Sequence, residues 1–128
     1  MLVPIAAVFA ALIFLGMAVF QALLAAGLPL GHYAWGGQQR ILPPALRWGS
    51  LVSAFIFLIG IFIVCGRAGL FYFVQDTGLE RIGIWVLVGI FSLSTLGNLS
   101  SKSKKEQNLM TPTAIVILAL CLFIALKA

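Results

Sequence analysis

Residues 4–26 read PIAAVFAALIFLGMAVFQALLAA and contain no charged side chain. At about 1.5 Å per residue, a helix of this stretch measures roughly 34 Å, which is enough to cross a hydrocarbon core of about 30 Å. Pro4 suits the first helical position, because the N–H that proline lacks would have no partner there. Gly27 is a typical residue after a helix end, and Pro29 prevents continuation. This stretch therefore predicts a transmembrane helix.

Three further apolar runs carry start signals of their own. Pro44 opens the second run as its first helical residue, and Thr77 with Glu80 has the spacing of a capping box at the start of the third. Thr111 as N-cap and Pro112 as first helical residue open the fourth. The sequence thus predicts one transmembrane domain over residues 1–128, with spans at about 4–26, 44–65, 78–97 and 110–127.

The composition supports the same architecture. Hydrophobic residues make up 62% of the 128 residues and charged residues only 9%, whereas a soluble domain is roughly a quarter charged. This excludes an ordinary soluble domain, and the apolar content excludes a disordered chain. Barrel strands would alternate in polarity and be about half as long as these runs. The predicted fold is all-α: an up-down four-helix transmembrane bundle.

The basic side chains predict an orientation in the membrane. The formal net charge is +5, and its carriers lie in or beside the short segments between spans, which fits anionic headgroups and not nucleic acid. Five lie on the side of loop one (residues 28–42) and loop three (residues 100–108): Arg40, Arg47, Lys102, Lys104 and Lys105. Three lie on the opposite side: Arg67, Arg81 and Lys127. The positive-inside rule therefore places loops one and three in the cytoplasm.

The middle of each predicted span lacks Asp, Glu, Lys and Arg. Proton-coupled exporters use an acid at that depth, and charge-lined pores need ionised side chains, so both classes are disfavoured. His32 is the single histidine, and Cys65 and Cys121 do not form a CxxC motif. We therefore expect neither a metal site nor a cofactor. Without a nucleophile elbow or paired carboxylates at mid-membrane, an enzyme is the less favoured reading.

Small and polar residues fall on single faces of the predicted helices. Gln21 shares its face with Ala7, Ala10, Phe14 and Ala18. An amide in hydrocarbon needs partners, and small neighbours let a second helix approach, so Gln21 is predicted to be buried against another helix. Each of the other helices also has a stripe of small residues. These stripes either pack the bundle or face a ligand or a second subunit.

Most hydrogen-bonding side chains gather at the end of the bundle that carries loops one and three. Loop one contains Gly36 and Gly37, which permit a tight turn, so we expect it to fold back over the helix ends. Arg40 and Arg47 are expected to hold this loop to lipid phosphates or to carbonyl groups at the end of the third helix near Asn98. The candidate ligand-binding residues are Gln21, His32, Trp35, Arg40, Arg47, Asn98 and Ser101. The alternative is that these residues only cap helices and anchor the interface.

Several short motifs in the loops resemble a known group of proteins. They are residues 27–31 (GLPLG), 35–37 (WGG), 42–43 (LP), 46–47 (LR), 97–106 (GNLSSKSKKE) and 111–112 (TP). Together they resemble small, predicted four-pass bacterial integral membrane proteins of unassigned function. The resemblance implies a bacterial cytoplasmic membrane and transfers no activity.

Three functions are compatible with these features. The favoured one is a small structural or accessory subunit that packs with itself or with other membrane proteins. The second is an oligomeric small-solute transporter or channel without an intramembrane acid. The third is a protein that binds or modifies lipids through their headgroups. The expected partners are accordingly membrane lipids, copies of the same chain or other membrane subunits, and not nucleic acid.

Overall fold

The computed structural model describes residues 2–37, 39–70, 78–101 and 103–127, and the regular structure in these ranges is helical. The four long helices are α1 (Leu2–Ala25), α2 (Pro44–Arg67), α3 (Leu79–Leu99) and α4 (Lys104–Lys127). Each is long and apolar enough to cross a membrane. The predicted fold class, an all-α four-helix bundle with up-down connections, is confirmed. The predicted capping box falls on Thr77 and the Glu80 side chain, which lie outside the described part of the chain.

The helices form a ring in chain order. α1 packs on α2, α2 on α3, α3 on α4, and α4 returns to α1. The seam between α2 and α3 is the sparsest of the four. A trio of rings fills the middle of the bundle: Phe14 stacks on Phe91 at 5.5 Å between centroids, and Phe57 lies 5.8 Å from Phe91. The trio separates a tightly packed half of the bundle from a looser half, which ends at loop one.

The tightly packed half explains the small residues of α1. Ala7, Ala10, Phe14 and Ala18 are all buried, as the sequence pattern predicts for the packed face of this helix. On α2, Gly60 lies directly against the Phe14 ring, because a Cβ there would come within 3.2 Å of it. Small side chains at these positions therefore let the helices approach closely enough to bury the aromatic rings.

The small-residue face of α3 behaves differently. Gly89 is exposed, and a Cβ added to it would meet no atom within 4 Å. Trp85 on the same helix is 45% exposed. Within the described part of the chain, this face packs on nothing and points away from the bundle. Small residues alone thus do not identify the buried face of a helix.

The fourth helix begins at Lys104 and not at residue 110. Ser103 caps it: its carbonyl oxygen accepts the N–H of Gln107 at 2.9 Å, and its hydroxyl oxygen accepts the N–H of Glu106 at 3.3 Å. Pro112 therefore lies inside the helix. Proline has no N–H, so the Asn108 carbonyl oxygen, four residues earlier, receives no helical hydrogen bond. Asn108 is exposed, so water can donate to this oxygen instead. Extending the helix in this way moves Glu106 from the predicted loop into the bundle.

Candidate functional site

A cavity of about 450 Å³ lies between the helices in the looser half of the bundle. At roughly 30 Å³ per water molecule, this volume of about 450 Å³ corresponds to about fifteen waters. Phe57 and Phe91 form its floor, and Tyr33 to Gly36 form its roof. All four helices contribute walls: Met17, Phe20 and Gln21 from α1, Ser53 from α2, Ser94, Gly97 and Asn98 from α3, and Glu106, Met110, Thr113, Ala114 and Ile117 from α4.

The roof is a folded lid, which we define as residues 31–37. It consists of one turn of 3₁₀ helix, Gly31–Tyr33, and a second tight turn, Trp35–Gly37, in which all three residues have positive φ. The Gly31 N–H donates to the Arg40 carbonyl oxygen at 2.8 Å, which closes the loop on itself. His32 Nδ1 lies 3.0 Å from the Gly37 carbonyl oxygen, to which it donates. The expectation that loop one folds back over the helix ends agrees with this structure.

Trp35 fastens the lid to α2. Its indole N–H donates to the Ser50 hydroxyl oxygen at 2.9 Å, and Ser50 is completely buried. The Trp35 ring lies so close to Gly49 that a Cβ there would come within 2.9 Å of it. Among the described residues, Trp35 is the one non-glycine with positive φ, at 53°. Such a conformation costs about 1–3 kcal/mol and persists only where surrounding contacts impose it.

Ser103 fastens the lid to α4. Its hydroxyl donates to the His32 carbonyl oxygen at 2.6 Å while its oxygen caps the helix. Gly37 packs so closely on Ser103 that a Cβ at this glycine would overlap the serine side chain. Gly37 also has φ of 70°, a conformation that glycine adopts without strain. The lid is therefore held at two points, one on α2 and one on the first turn of α4.

Glu106 is the acid of the described cavity wall. Only 6% of this residue is exposed, and its Oε2 atom is buried without a hydrogen-bond partner. The segment Ser103 to Glu106 has capping-box spacing, in which the glutamate would accept the N–H of the serine. That N–H instead donates to the Ser101 hydroxyl oxygen at 3.1 Å. Ser101 thus replaces the glutamate in the cap, so the Glu106 carboxylate is not used there, and the residue lines the cavity instead.

Two other polar side chains of the wall lie across from α4. Gln21 is half-buried, and its Oε1 atom has no hydrogen-bond partner. Asn98 donates from Nδ2 to the Met110 carbonyl oxygen across a long 3.4 Å. The hydroxyls of Ser53 and Thr113 donate to carbonyl groups of their own helices. Gln21 and Glu106, which both line the cavity, therefore each carry a buried acceptor oxygen that no protein donor satisfies.

Arg47 occupies a second, smaller cavity of about 320 Å³ on the outside of α1 and α2. Its Nε donates to the Ala25 carbonyl oxygen at 2.9 Å, at the last residue of α1. The expected contact with the end of the third helix is absent, because Arg47 lies beside α1, whose C-terminal carbonyls attract a cation. Trp48, 68% exposed, lies beside it at the rim of this second cavity.

The structure divides the seven candidate residues into three groups. Gln21, Trp35 and Asn98 line the main cavity, and Arg47 lines the second one. The other three, His32, Arg40 and Ser101, line neither cavity. The His32 carbonyl oxygen holds the lid to Ser103, and Ser101 accepts the Ser103 N–H at the cap of α4. Arg40 accepts the Gly31 N–H with its carbonyl oxygen, and its side chain is exposed.

Sequence reasoning missed Glu106. The signal that could have found it is the helical spacing of α4, where the buried positions 106, 110, 114, 117, 121 and 124 recur every three or four residues.

Comparisons with known proteins add no function to this geometry. No family model, curated protein or solved structure matches the chain. Among the described residues, no group of three or more His, Cys, Asp or Glu side chains could hold a metal ion. The polar groups of the cavity are therefore the basis on which a function can be argued.

Proposed function

We propose that this small polytopic membrane protein binds a small molecule with an apolar body and hydrogen-bond donors in its main cavity, and that it acts as a small-solute transporter. The observation that carries this proposal is the pair of unpartnered acceptors, Gln21 Oε1 and Glu106 Oε2, in the wall of one cavity. Buried polar groups are normally satisfied, and a group left without a partner calls for an explanation. The volume of about 450 Å³ lies within the range of small-molecule sites.

Transport also requires a closure of the binding site that can open, and the lid supplies it. A ligand that reaches the cavity from the side of loop one must displace residues 31–37. The lid is held to the helices by two hydrogen bonds, from Trp35 to Ser50 and from Ser103 to His32, and by the Lys105 ammonium over the Tyr33 ring. A net hydrogen bond contributes about 0.5–1.5 kcal/mol, and the burial of Ala34 against Leu24 and Leu42 adds to the closure, so a small set of contacts must break for the lid to open. The rings of Phe57 and Phe91 lie at the other end of the cavity.

A photoreactive probe tests whether the cavity binds small molecules. The probe is an aryl trifluoromethyldiazirine that carries a benzyl alcohol group, here called the alcohol probe. Protein in phosphatidylcholine liposomes is irradiated with it, and the labelled peptides are identified by mass spectrometry. We expect saturable labelling of α3 and α4 peptides that contain Asn98 and Glu106.

A pair of serine variants locates this labelling. Ser94→Phe places a ring in the cavity, whereas Ser92→Phe places the same ring on the same helix outside the cavity wall. We expect Ser94→Phe to remove most of the saturable labelling and Ser92→Phe to retain it. Labelling that is non-saturable, or that is equally strong in both variants, would show that the probe reports lipid exposure and that the cavity does not bind it.

A structural or accessory role is a second candidate, and the exposed face of α3 favours it. Gly89 leaves room there for another helix, and Trp85 lies on the same helix. A second subunit that packs on Gly89 should be displaced by Gly89→Leu, while Leu93→Ala, at a position 71% exposed, should have a smaller effect. Native mass spectrometry in detergent would measure the change. An oligomer or complex of unchanged size in Gly89→Leu would contradict this role.

Headgroup binding is a third candidate, which the second cavity favours. Arg47 uses Nε on Ala25, and its two terminal nitrogens lie toward Gly27 at the rim. A lipid phosphate could accept from these N–H groups while Trp48 anchors the interface. Arg47→Gln should then reduce the amount of anionic lipid retained after purification, and Arg67→Gln at the other end of α2 should not. Equal retention in both variants would exclude the site.

A further inference from the structure

We propose that the molecule bound in the main cavity is an organic cation with an N–H-bearing ammonium head, and that Glu106 is its counter-ion. This inference rests on the proposed function and names the chemical class of the ligand for the same site. Its basis is that the described cavity wall contains two unsatisfied hydrogen-bond acceptors and one acidic side chain. Gln21 and Glu106 both present acceptor oxygens without donors, and an ammonium group is a donor without acceptors.

The charge of Glu106 favours a cation over other ligands. A carboxylate that is 6% exposed and has an oxygen without a partner is unfavourable unless an opposite charge reaches it. The nearby Lys105 does not serve this purpose, because its Nζ lies over the Tyr33 ring, 5.8 Å from the ring centroid. Of the described residues that line the cavity, none is Lys or Arg. An anion would therefore meet a negative wall without a compensating positive charge.

The rings of the cavity favour an organic cation over a hydrated metal ion. Phe57 and Phe91 form the floor, Phe20 a wall, and Tyr33 and Trp35 the roof. Aromatic faces attract ammonium groups and pack against an apolar body. A small inorganic cation needs several oxygen ligands in place of its water shell, and hydrocarbon rings do not supply them. The lining thus fits a head of positive charge at Glu106 and an apolar body on the rings.

A matched pair of probes tests this class of ligand. The ammonium probe is the benzylammonium analogue of the alcohol probe, with the same aryl diazirine. Both are titrated against protein in uncharged phosphatidylcholine liposomes, and the half-saturating concentration of cavity labelling is measured. The ratio of the alcohol value to the ammonium value defines the cation preference. Because partition into the lipid is the same for all variants, a change in this ratio between variants reports on the protein.

Two glutamate variants decide the outcome. Glu106→Gln keeps the shape of the side chain and removes its charge, and Glu80→Gln removes a charge at the start of α3, at the opposite end of the bundle. We expect the cation preference to fall at least about tenfold in Glu106→Gln, the loss of one charged hydrogen bond, and to stay at the wild-type value in Glu80→Gln. An unchanged preference in Glu106→Gln, or an equal fall in both variants, would overturn the proposal.

The alcohol probe separates this inference from the proposed function. If the alcohol probe labels the wild-type cavity while Glu106→Gln leaves the cation preference unchanged, the cavity binds solutes but not by charge. If neither probe labels the cavity, the proposed function itself fails. If Glu106→Gln loses labelling by both probes because it does not fold, Gln21→Leu decides instead. The preference must then fall in Gln21→Leu, and an unchanged value would contradict the role of the two acceptors.

Discussion

Trp35→Phe tests whether the lid is a fastened structure. Phenylalanine removes the N–H that donates to the Ser50 hydroxyl over 2.9 Å, together with the outer indole atoms that lie against Gly49. Ser50 is completely buried, so its oxygen loses its donor in a place that water does not reach. A buried group left unsatisfied costs about 1–3 kcal/mol. We therefore expect the population with an open lid to rise about 5- to 150-fold.

Trypsin cleavage after Arg40 measures this opening. Arg40 is exposed and lies three residues after the end of the lid, and the hydrogen bond from Gly31 to its carbonyl oxygen holds the adjoining peptide in place. When opening and closing are fast, the cleavage rate follows the population of the open state. The rate is measured on purified protein in detergent, where trypsin reaches both ends of the bundle. Trp48→Phe serves as control, because Trp48 is 68% exposed and lies outside the lid.

A double-mutant cycle isolates the hydrogen bond from other effects. Ser50→Ala should accelerate cleavage in the same direction as Trp35→Phe, and the double variant should accelerate it by less than the product of the two single effects. The reasoning is refuted if Trp35→Phe cleaves at the rate of Trp48→Phe. It is refuted equally if the wild-type loop is cut as rapidly as the same sequence in a free peptide.

Three further predictions follow from the same contacts. Gly37→Ala should accelerate cleavage after Arg40, because its Cβ would overlap Ser103 and its φ of 70° disfavours alanine; a wild-type rate would contradict the second fastening of the lid. Gln21→Leu should leave the melting temperature in detergent unchanged or raise it, because the amide oxygen has no partner to lose, and a clear fall would show a polar contact that this structure lacks. In a variant without Cys65 and Cys121, a cysteine at the exposed position Ser100 should react with an impermeant maleimide only from the cytoplasmic side, and one at Leu70 only from the outside; the reverse pattern would invert the orientation.

The sequence predicts the bundle well because its decisive signals are local. The length of the run in residues 4–26 sets α1, and the structure has this helix over Leu2–Ala25. The buried face of α1 follows from the helical spacing of Ala7, Ala10 and Phe14, all of which are buried. Periodicity and length are properties of neighbouring residues, so they need no knowledge of how the helices are arranged.

The candidate site is less predictable because it depends on competition between partners. The sequence offers two possible starts for α4, at Ser103 and at Thr111. The apolar run begins close to Thr111, so hydrophobicity alone favours a start at Thr111. The structure uses the earlier start, since Ser103 caps the helix and Ser101 takes the Ser103 N–H. The inward direction of Glu106 follows from that second bond. Residue spacing can show that position 106 shares the buried face of α4, but it does not show which of two nearby side chains, Ser101 or Glu106, accepts the Ser103 N–H.

The position at which the ammonium probe attaches to the wild-type protein tests the central claim most directly. Carbene insertion occurs where the diazirine rests, so residue-level mass spectrometry of the saturable product maps the bound molecule. A ligand with its head at Glu106 and its body on the rings predicts attachment within the cavity wall, at Asn98, Glu106, Met110 or Phe91. Saturable attachment confined to outward-facing residues such as Leu93 and Leu96, with the cavity wall unlabelled, would contradict a ligand site inside the bundle.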